Sequence, residues 1–107
     1  MSEGISFGVR IAEEIINEFN GVFISRRDGF VIVKIPIDNE TVIVWVRHSP
    51  ITYNALKIFD KIISKHAYDK AILLNLAMTA DYVKFSDLEK RFNKIYRSIE
   101  EFRRNIW

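Results

Sequence analysis

Residues 41–74 read TVIVWVRHSPITYNALKIFDKIISKHAYDKAILL, and the change of period within them decides the fold. Thr41–Arg47 is an almost continuous run of β-branched and aromatic residues, which predicts a strand buried on both faces. Ser49 and Pro50 follow as N-cap and first helical residue, where a proline's missing N–H costs nothing. From there to about His66, Ala55, Ile58, Phe59, Ile62 and Ile63 share one side of a helix, while Lys57, Lys61 and Lys65 recur on the other. Lys70–Thr79, with its core Ala71-Ile72-Leu73-Leu74, predicts another buried strand. Two strands joined by a helix should pair in parallel through a right-handed crossover.

Upstream, Phe7–Asn20 predicts a helix with Ile11, Ala12, Ile15, Ile16 and Phe19 in one stripe, ended by Asn20-Gly21, where glycine suits the left-handed conformation. Val22–Arg26 and Phe30–Ile37 are strands joined by the turn Arg27-Asp28-Gly29, and Asp38-Asn39-Glu40 turns the chain into Thr41–Arg47. Pro36 belongs near the end of its strand, since in the middle it would leave the ladder unpaired. Downstream, Tyr82–Phe85 reads as a fifth strand or a loop. Ser86 with Glu89 forms a capping box that opens a helix running to Trp107. In it Leu88, Phe92, Ile95, Ile99, Phe102 and Ile106 step alternately by four and three residues, with Tyr96 and Trp107 at the edge. That is a heptad seam, suited to a helix–helix contact with a protein partner or with a second copy in a homodimer, or simply to covering the sheet. The expectation is one α/β domain over residues 1–107: a central mixed sheet of four or five strands flanked by helices on both faces, in the order αβββαβ(β)α.

Composition narrows the function classes. Hydrophobic residues at 49% and charged ones at 28% belong to a folded chain, and the absence of cysteine removes disulfides, thiolate zinc sites and cysteine nucleophiles. No apolar run approaches the roughly 18 residues of a membrane span, and no signal peptide opens the chain, so a cytoplasmic protein without a membrane partner is expected. The net charge of +2 is unevenly spread: residues 84–107 carry seven basic and four acidic side chains, residues 1–53 five and seven. Such a basic segment faces phosphate, an acidic partner or plain solvent. The 17 isoleucines, equal numbers of Lys and Glu, and absence of Gln lean toward a thermophile, while seven Asn weigh against it.

The run Val42–Ala80 resembles the second half of Mrr-type restriction endonucleases and archaeal Holliday-junction resolvases. In those families a strand ending in a carboxylate or glutamine, one spacer and a lysine leads to a polar turn, an amphipathic helix, a short Asp-Lys or Ala-Lys link and a buried strand. Phe7–Ile37 would supply the preceding helix and the hairpin that carries a metal-binding aspartate, so that the resemblance covers about three quarters of the chain, as pattern more than identity. It implies a restriction-endonuclease-like fold and a site where two carboxylates hold Mg²⁺ and a lysine activates water. Here the carboxylate position falls on Trp45 and the lysine position on Arg47. An indole cannot ligate a metal; a guanidinium cannot act as a base, though it grips phosphate in a bidentate fork. Asp28 is the one candidate for the metal-binding aspartate, and Asp28-Gly29 reads equally as a turn pair. A dismantled site without a cofactor is expected, with Mg²⁺ only if Asp28 rebuilds a centre with Asp38 or Glu40.

Other schemes find less. His48 and His66 lie at opposite ends of one predicted helix, no aspartate orients His48, and no glycine-rich loop cradles phosphate. Arg26, Arg27, Lys34, Arg47 and His48 sit at strand ends or turns that can converge on one sheet edge and track a nucleic-acid backbone, with Lys57, Lys61 and Lys65 as a second row and Phe30 and Tyr53 as base-stacking candidates. The bland alternative is a solvated rim in which these cations pair with Asp60, Asp69 or the Glu13, Glu14 and Glu18 face. The functional expectation is a non-catalytic, nuclease-fold accessory or structural subunit of a DNA-processing assembly serving replication, repair or recombination. It would bind a protein partner through residues 86–107 and DNA through the Arg26, Arg27 and Arg47 edge. The alternatives are an active Mg²⁺-dependent nuclease or resolvase and a structural subunit of an RNA-processing endonuclease, since the C-terminal domain of the tRNA-splicing type is similar in strand and helix order.

Overall fold

The computed structural model describes residues 3–27, 30–77 and 80–106. Helix α1 (Glu3–Phe19) buries Ile11, Ala12, Ile15 and Phe19 against the sheet. Asn20, at φ 59°, takes the left-handed position that ends it. Gly21 serves a different need: a Cβ there would stand 2.5 Å from Ile35 Cγ2 and 2.8 Å from the Lys34 carbonyl oxygen. Strands β1 (Val22–Arg27), β2 (Phe30–Ile37) and β3 (Glu40–Arg47) form an antiparallel meander. Asp38 and Asn39, both at positive φ (48° and 67°), make the two-residue turn whose twist matches its strands. Pro36 is the penultimate residue of β2, as its missing donor requires.

Helix α2 (Tyr53–Ile63) starts later than Ser49-Pro50 suggested. Its N-cap is Thr52, whose hydroxyl accepts from the Ala55 N–H at 3.1 Å. The crossover delivers β4 (Lys70–Asn75) parallel to β3, with Val42 opposite Lys70 and Arg47 opposite Asn75.

Beyond β4 the loop alternative holds for Tyr82–Lys84, and the continuous helix from Ser86 fails. The fifth strand of the sheet comes later in the chain, inside the stretch expected to be helical. The chain forms α3 (Phe85–Arg91), β5 (Lys94–Tyr96), parallel to β4, and α4 (Ile99–Asn105). The α3 N-cap is Lys84, without a side-chain bond, so the Ser86–Glu89 box goes unused; Ser98 caps α4 instead, accepting from the Glu101 N–H at 3.1 Å. Phe92 adopts extended geometry (φ −116°, ψ 139°) and stops α3, and the Ala71 N–H donates to Asn93 Oδ1 at 2.8 Å.

The sheet order is β1-β2-β3-β4-β5, a mixed open sheet whose two faces hold separate cores. On one face α1 and α4 cover Val31, Val33, Val44, Ile72 and Leu74, with Phe102 edge-on to Phe19 at 5.7 Å. On the other, α2 and α3 cover Ile32, Ile43, Trp45 and Leu73. The supposed seam is thereby split. Leu88 and Phe92, with Ile95 against them, belong to the second core, and Ile99 and Phe102, with Ile106 against them, to the first. Leu88, Phe92, Ile99 and Phe102 are buried within the chain and present no surface to a partner. Among the described residues, no helix is long and apolar enough to cross a membrane.

Candidate functional site

Parallel strands β3 and β4 finish side by side at Arg47 and Asn75, and the loops after them meet above that end. Alternation along β3 sends Trp45 and Arg47 to the α2 face. Trp45 is 0% exposed, stacked on Phe59 (4.5 Å, 18°) and Phe92 (5.9 Å, 26°) and edge-on to Phe30 (5.7 Å, 83°). Its Nε1 meets no acceptor among the described residues. Arg47, 6% exposed, lies over the rings of Phe30 and Trp45 at 5.5 and 5.3 Å. Its Nε donates to the Ser49 carbonyl at 3.3 Å and its Nη2 to the Pro50 carbonyl at 2.9 Å. Burial lowers the Arg47 pKa and the nearby Asp81 charge opposes that, so the group stays a cation.

Asp81 ties the two loops together. Its Oδ1 accepts from the Ile51 N–H at 2.8 Å and its Oδ2 from Asn75 Nδ2 at 2.9 Å. Asn75, 1% exposed, also accepts from the Ala77 N–H at 3.3 Å, and the Leu76 N–H donates to the Arg47 carbonyl at 2.6 Å. These bonds leave the Arg47 guanidinium committed to its own loop. A phosphate would have to displace the Ser49 and Pro50 carbonyls to reach it.

Of the five cations expected at one edge, the four whose side chains are described do not form one cluster. Arg47 is interior. His48 is half-buried beside α1, where a Cβ on Gly8 would stand 2.4 Å from its Cδ2. Burial, and after it the Arg47 charge, hold the His48 pKa below its usual 6.5. Lys34 pairs across to Ile43, four residues along β2 from Phe30 and so about 13 Å from the Arg47 end. Arg26 is exposed on β1 beside Glu13 and Phe23. The Arg27 side chain and Asp28 lie outside the described residues, as does Trp107. Phe30 is buried and offers no face to a base. Tyr53 is exposed, with its hydroxyl donating to Asp87 Oδ2 at 2.7 Å, and that bond raises its pKa. Lys57, Lys61 and Lys65 remain an exposed row. Among the described residues no three His, Asp or Glu side chains gather as a metal set.

The structure instead opens a groove of about 830 Å³ at the finishing end, lined by Phe7, Arg10, His48, Leu76 and Arg97 among others. A second depression of about 430 Å³ shares Arg97 with it and adds Val83 and Phe85. Arg10, Tyr82, Phe85 and Arg97 escaped the sequence reading. The four-and-three spacing places Arg97 inside a continuous helix; the Ser98–Glu101 cap is the sequence signal that places it after a strand. No family model, curated protein or solved structure matches this chain.

Proposed function

We propose that this protein is a non-catalytic accessory or structural subunit of a DNA-processing assembly, built on a restriction-endonuclease-like core. The observation that carries the reading is the interior position of Trp45 and Arg47. At the strand end where the resemblance calls for a metal-binding carboxylate and a water-activating lysine, this chain has an indole between two phenyl rings and a guanidinium bonded to two carbonyls. Neither group can turn toward a scissile phosphate without opening the core. The order α1-β1-β2-β3-α2-β4, with β4 parallel to β3, agrees with that core.

Contact with DNA falls to the exposed Lys57, Lys61 and Lys65 row and to Arg26 rather than to Arg47. Contact with a protein partner moves from residues 86–107 to β1, which ends the sheet and exposes Val22 and Phe23. The test is a titration of Mg²⁺ and of Mn²⁺ in the presence of branched and linear DNA, run beside retention on immobilised DNA at rising salt. No cleavage and salt-sensitive retention are expected. Cleavage that disappears in Asp28→Ala overturns the reading.

A further inference from the structure

We infer that the groove at the finishing ends of β3, β4 and β5 is a binding site for single-stranded nucleic acid, gripping bases by stacking and phosphates by arginine and lysine. The inference rests on the nucleic-acid part of the reading above and adds to the lysine row a second surface, specific for single strands.

Four of the seven large apolar side chains exposed among the described residues stand around this one end: Phe7, Tyr53, Tyr82 and Phe85. Tyr82 is 74% exposed and Phe85 56% exposed, so both rings are open to a ligand, and their grouping at one end is what makes the exposure informative. The Tyr82 backbone N–H donates to the Ile51 carbonyl at 2.9 Å, which ties its loop to the loop after β3. The Tyr53 hydroxyl donates to Asp87 and accepts from the Lys84 N–H at 3.4 Å. The Tyr53 ring is therefore held through its hydroxyl, while at Tyr82 it is the backbone that is tied down.

Cations stand among these rings. Arg97 follows β5 directly and lines both depressions; Arg10 lines the larger; Lys84 separates Tyr82 from Phe85 along the chain. Arg10, Lys84 and Arg97 take part in no salt bridge among the described residues, whereas Arg103, at the same groove, is held by Glu18 at 3.0 Å. Both oxygens of Asp81, the acid nearest Tyr82, are spent on Ile51 and Asn75. Glu14 and Glu100 line the α1–α4 side, so phosphates gain most near Arg97 and Lys84. Aromatic faces interleaved with unpaired cations are what a single strand requires, since its bases are free to stack; a duplex offers phosphates but hides its base faces.

The experiment measures fluorescence anisotropy of fluorescein-labelled oligothymidylate and oligouridylate of about 15 nucleotides, against a DNA duplex of equal length, with the intact protein. Single strands of either sugar are expected to bind at least about tenfold tighter than the duplex. Tyr82→Ala and Phe85→Ala should each weaken single-strand binding by about five- to hundredfold. Arg97→Gln should lower the slope of log affinity against log salt by about 0.7. Tyr82→Leu and Phe85→Leu keep side-chain bulk without a ring and should lose binding in the same way, while circular dichroism verifies that each variant is folded. Equal or tighter duplex binding, or single-strand binding unchanged in the Tyr82→Ala/Phe85→Ala double variant, overturns the groove. In either case duplex retention that falls in Lys57→Gln/Lys61→Gln leaves the wider reading standing. Absence of binding to every polymer removes both.

Discussion

Where β3 and β4 begin, the Thr41 N–H donates to Asp69 Oδ2 at 2.7 Å and the Asp69 N–H donates back to the Thr41 carbonyl at 2.8 Å. Glu40 pairs with Lys70 at 3.0 Å beside them, and Ala71 and Asn93 exchange a further reciprocal pair at 2.8 Å each. Asp69, Lys70 and Asn93 are exposed, so water stands ready to replace a lost partner. Where the same strands finish, Arg47 and Asn75 are buried and Asp81 is half-buried, and their bonds interlock the loops after β3 and β4 with less solvent to stand in. Two ends of one strand pair thus solve the same problem of unpaired backbone groups at different risk. The exposed end tolerates the loss of a bond; the buried end leaves orphaned donors behind, each at the cost of its desolvation.

The largest test of this contrast is Trp45→Ala, which empties the stack beneath Arg47 and should cost about 3–5 kcal/mol in urea unfolding. Trp45→Phe should cost far less, because the indole N–H it removes has no acceptor among the described residues. Next comes Asp81→Ala, which strands the Ile51 N–H and the Asn75 amide beside a buried guanidinium; a loss of about 2–4 kcal/mol is expected by the same measurement. Asp69→Ala, at the exposed end, should cost about 1 kcal/mol, and Glu40→Ala between about 0 and 1 kcal/mol. Equal losses for Asp69→Ala and Asp81→Ala would break the comparison.

The smallest effect is one of pH. His48 titrates below 6.5 in the folded protein, so as pH falls through 6.5 the unfolded chain takes up the proton first. The stability that depends on neutral His48 is complete above 6.5 and declines in the window beneath it. Thermal unfolding midpoints at about pH 7.5 and about pH 5 should differ more for the parent than for His48→Asn. An identical difference in both proteins would show that other groups carry the acid sensitivity.

The described elements up to β4 are legible in the sequence because each announces its own period. The helix stripe of Ile11–Phe19, the β-branched runs of β2 and β3 and the helix-joined β4 all formed. Local chemistry misplaced only their ends: Asn20 rather than Gly21 took the left-handed position, and Thr52 rather than Ser49 capped α2. The remainder misled because spacing alone carries no direction. Steps of four and three from Leu88 to Ile106 fit a helix seam, yet the chain leaves helical geometry at Phe92 and regains it after Ser98. Pairing of Lys94–Tyr96 with Ile72–Leu74 overrode helix propensity, a long-range effect that no local window contains. The site suffered for the same reason. Arg47 was correctly placed at a strand end, but its burial depends on loops 49–51 and 80–82 closing over it. Arg97 could be located only once β5 was known.

Strand β5 lies between α3 and α4, so one short stretch passes around the sheet margin and seats Leu88 and Phe92 in one layer and Ile99 and Phe102 in the other. During synthesis from the N-terminus, the meander and first crossover emerge while both layers still lack those four side chains. Neither half can reach its final packing ahead of the other, and the nascent chain must keep two unfinished hydrophobic surfaces shielded until residues 85–106 leave the ribosome.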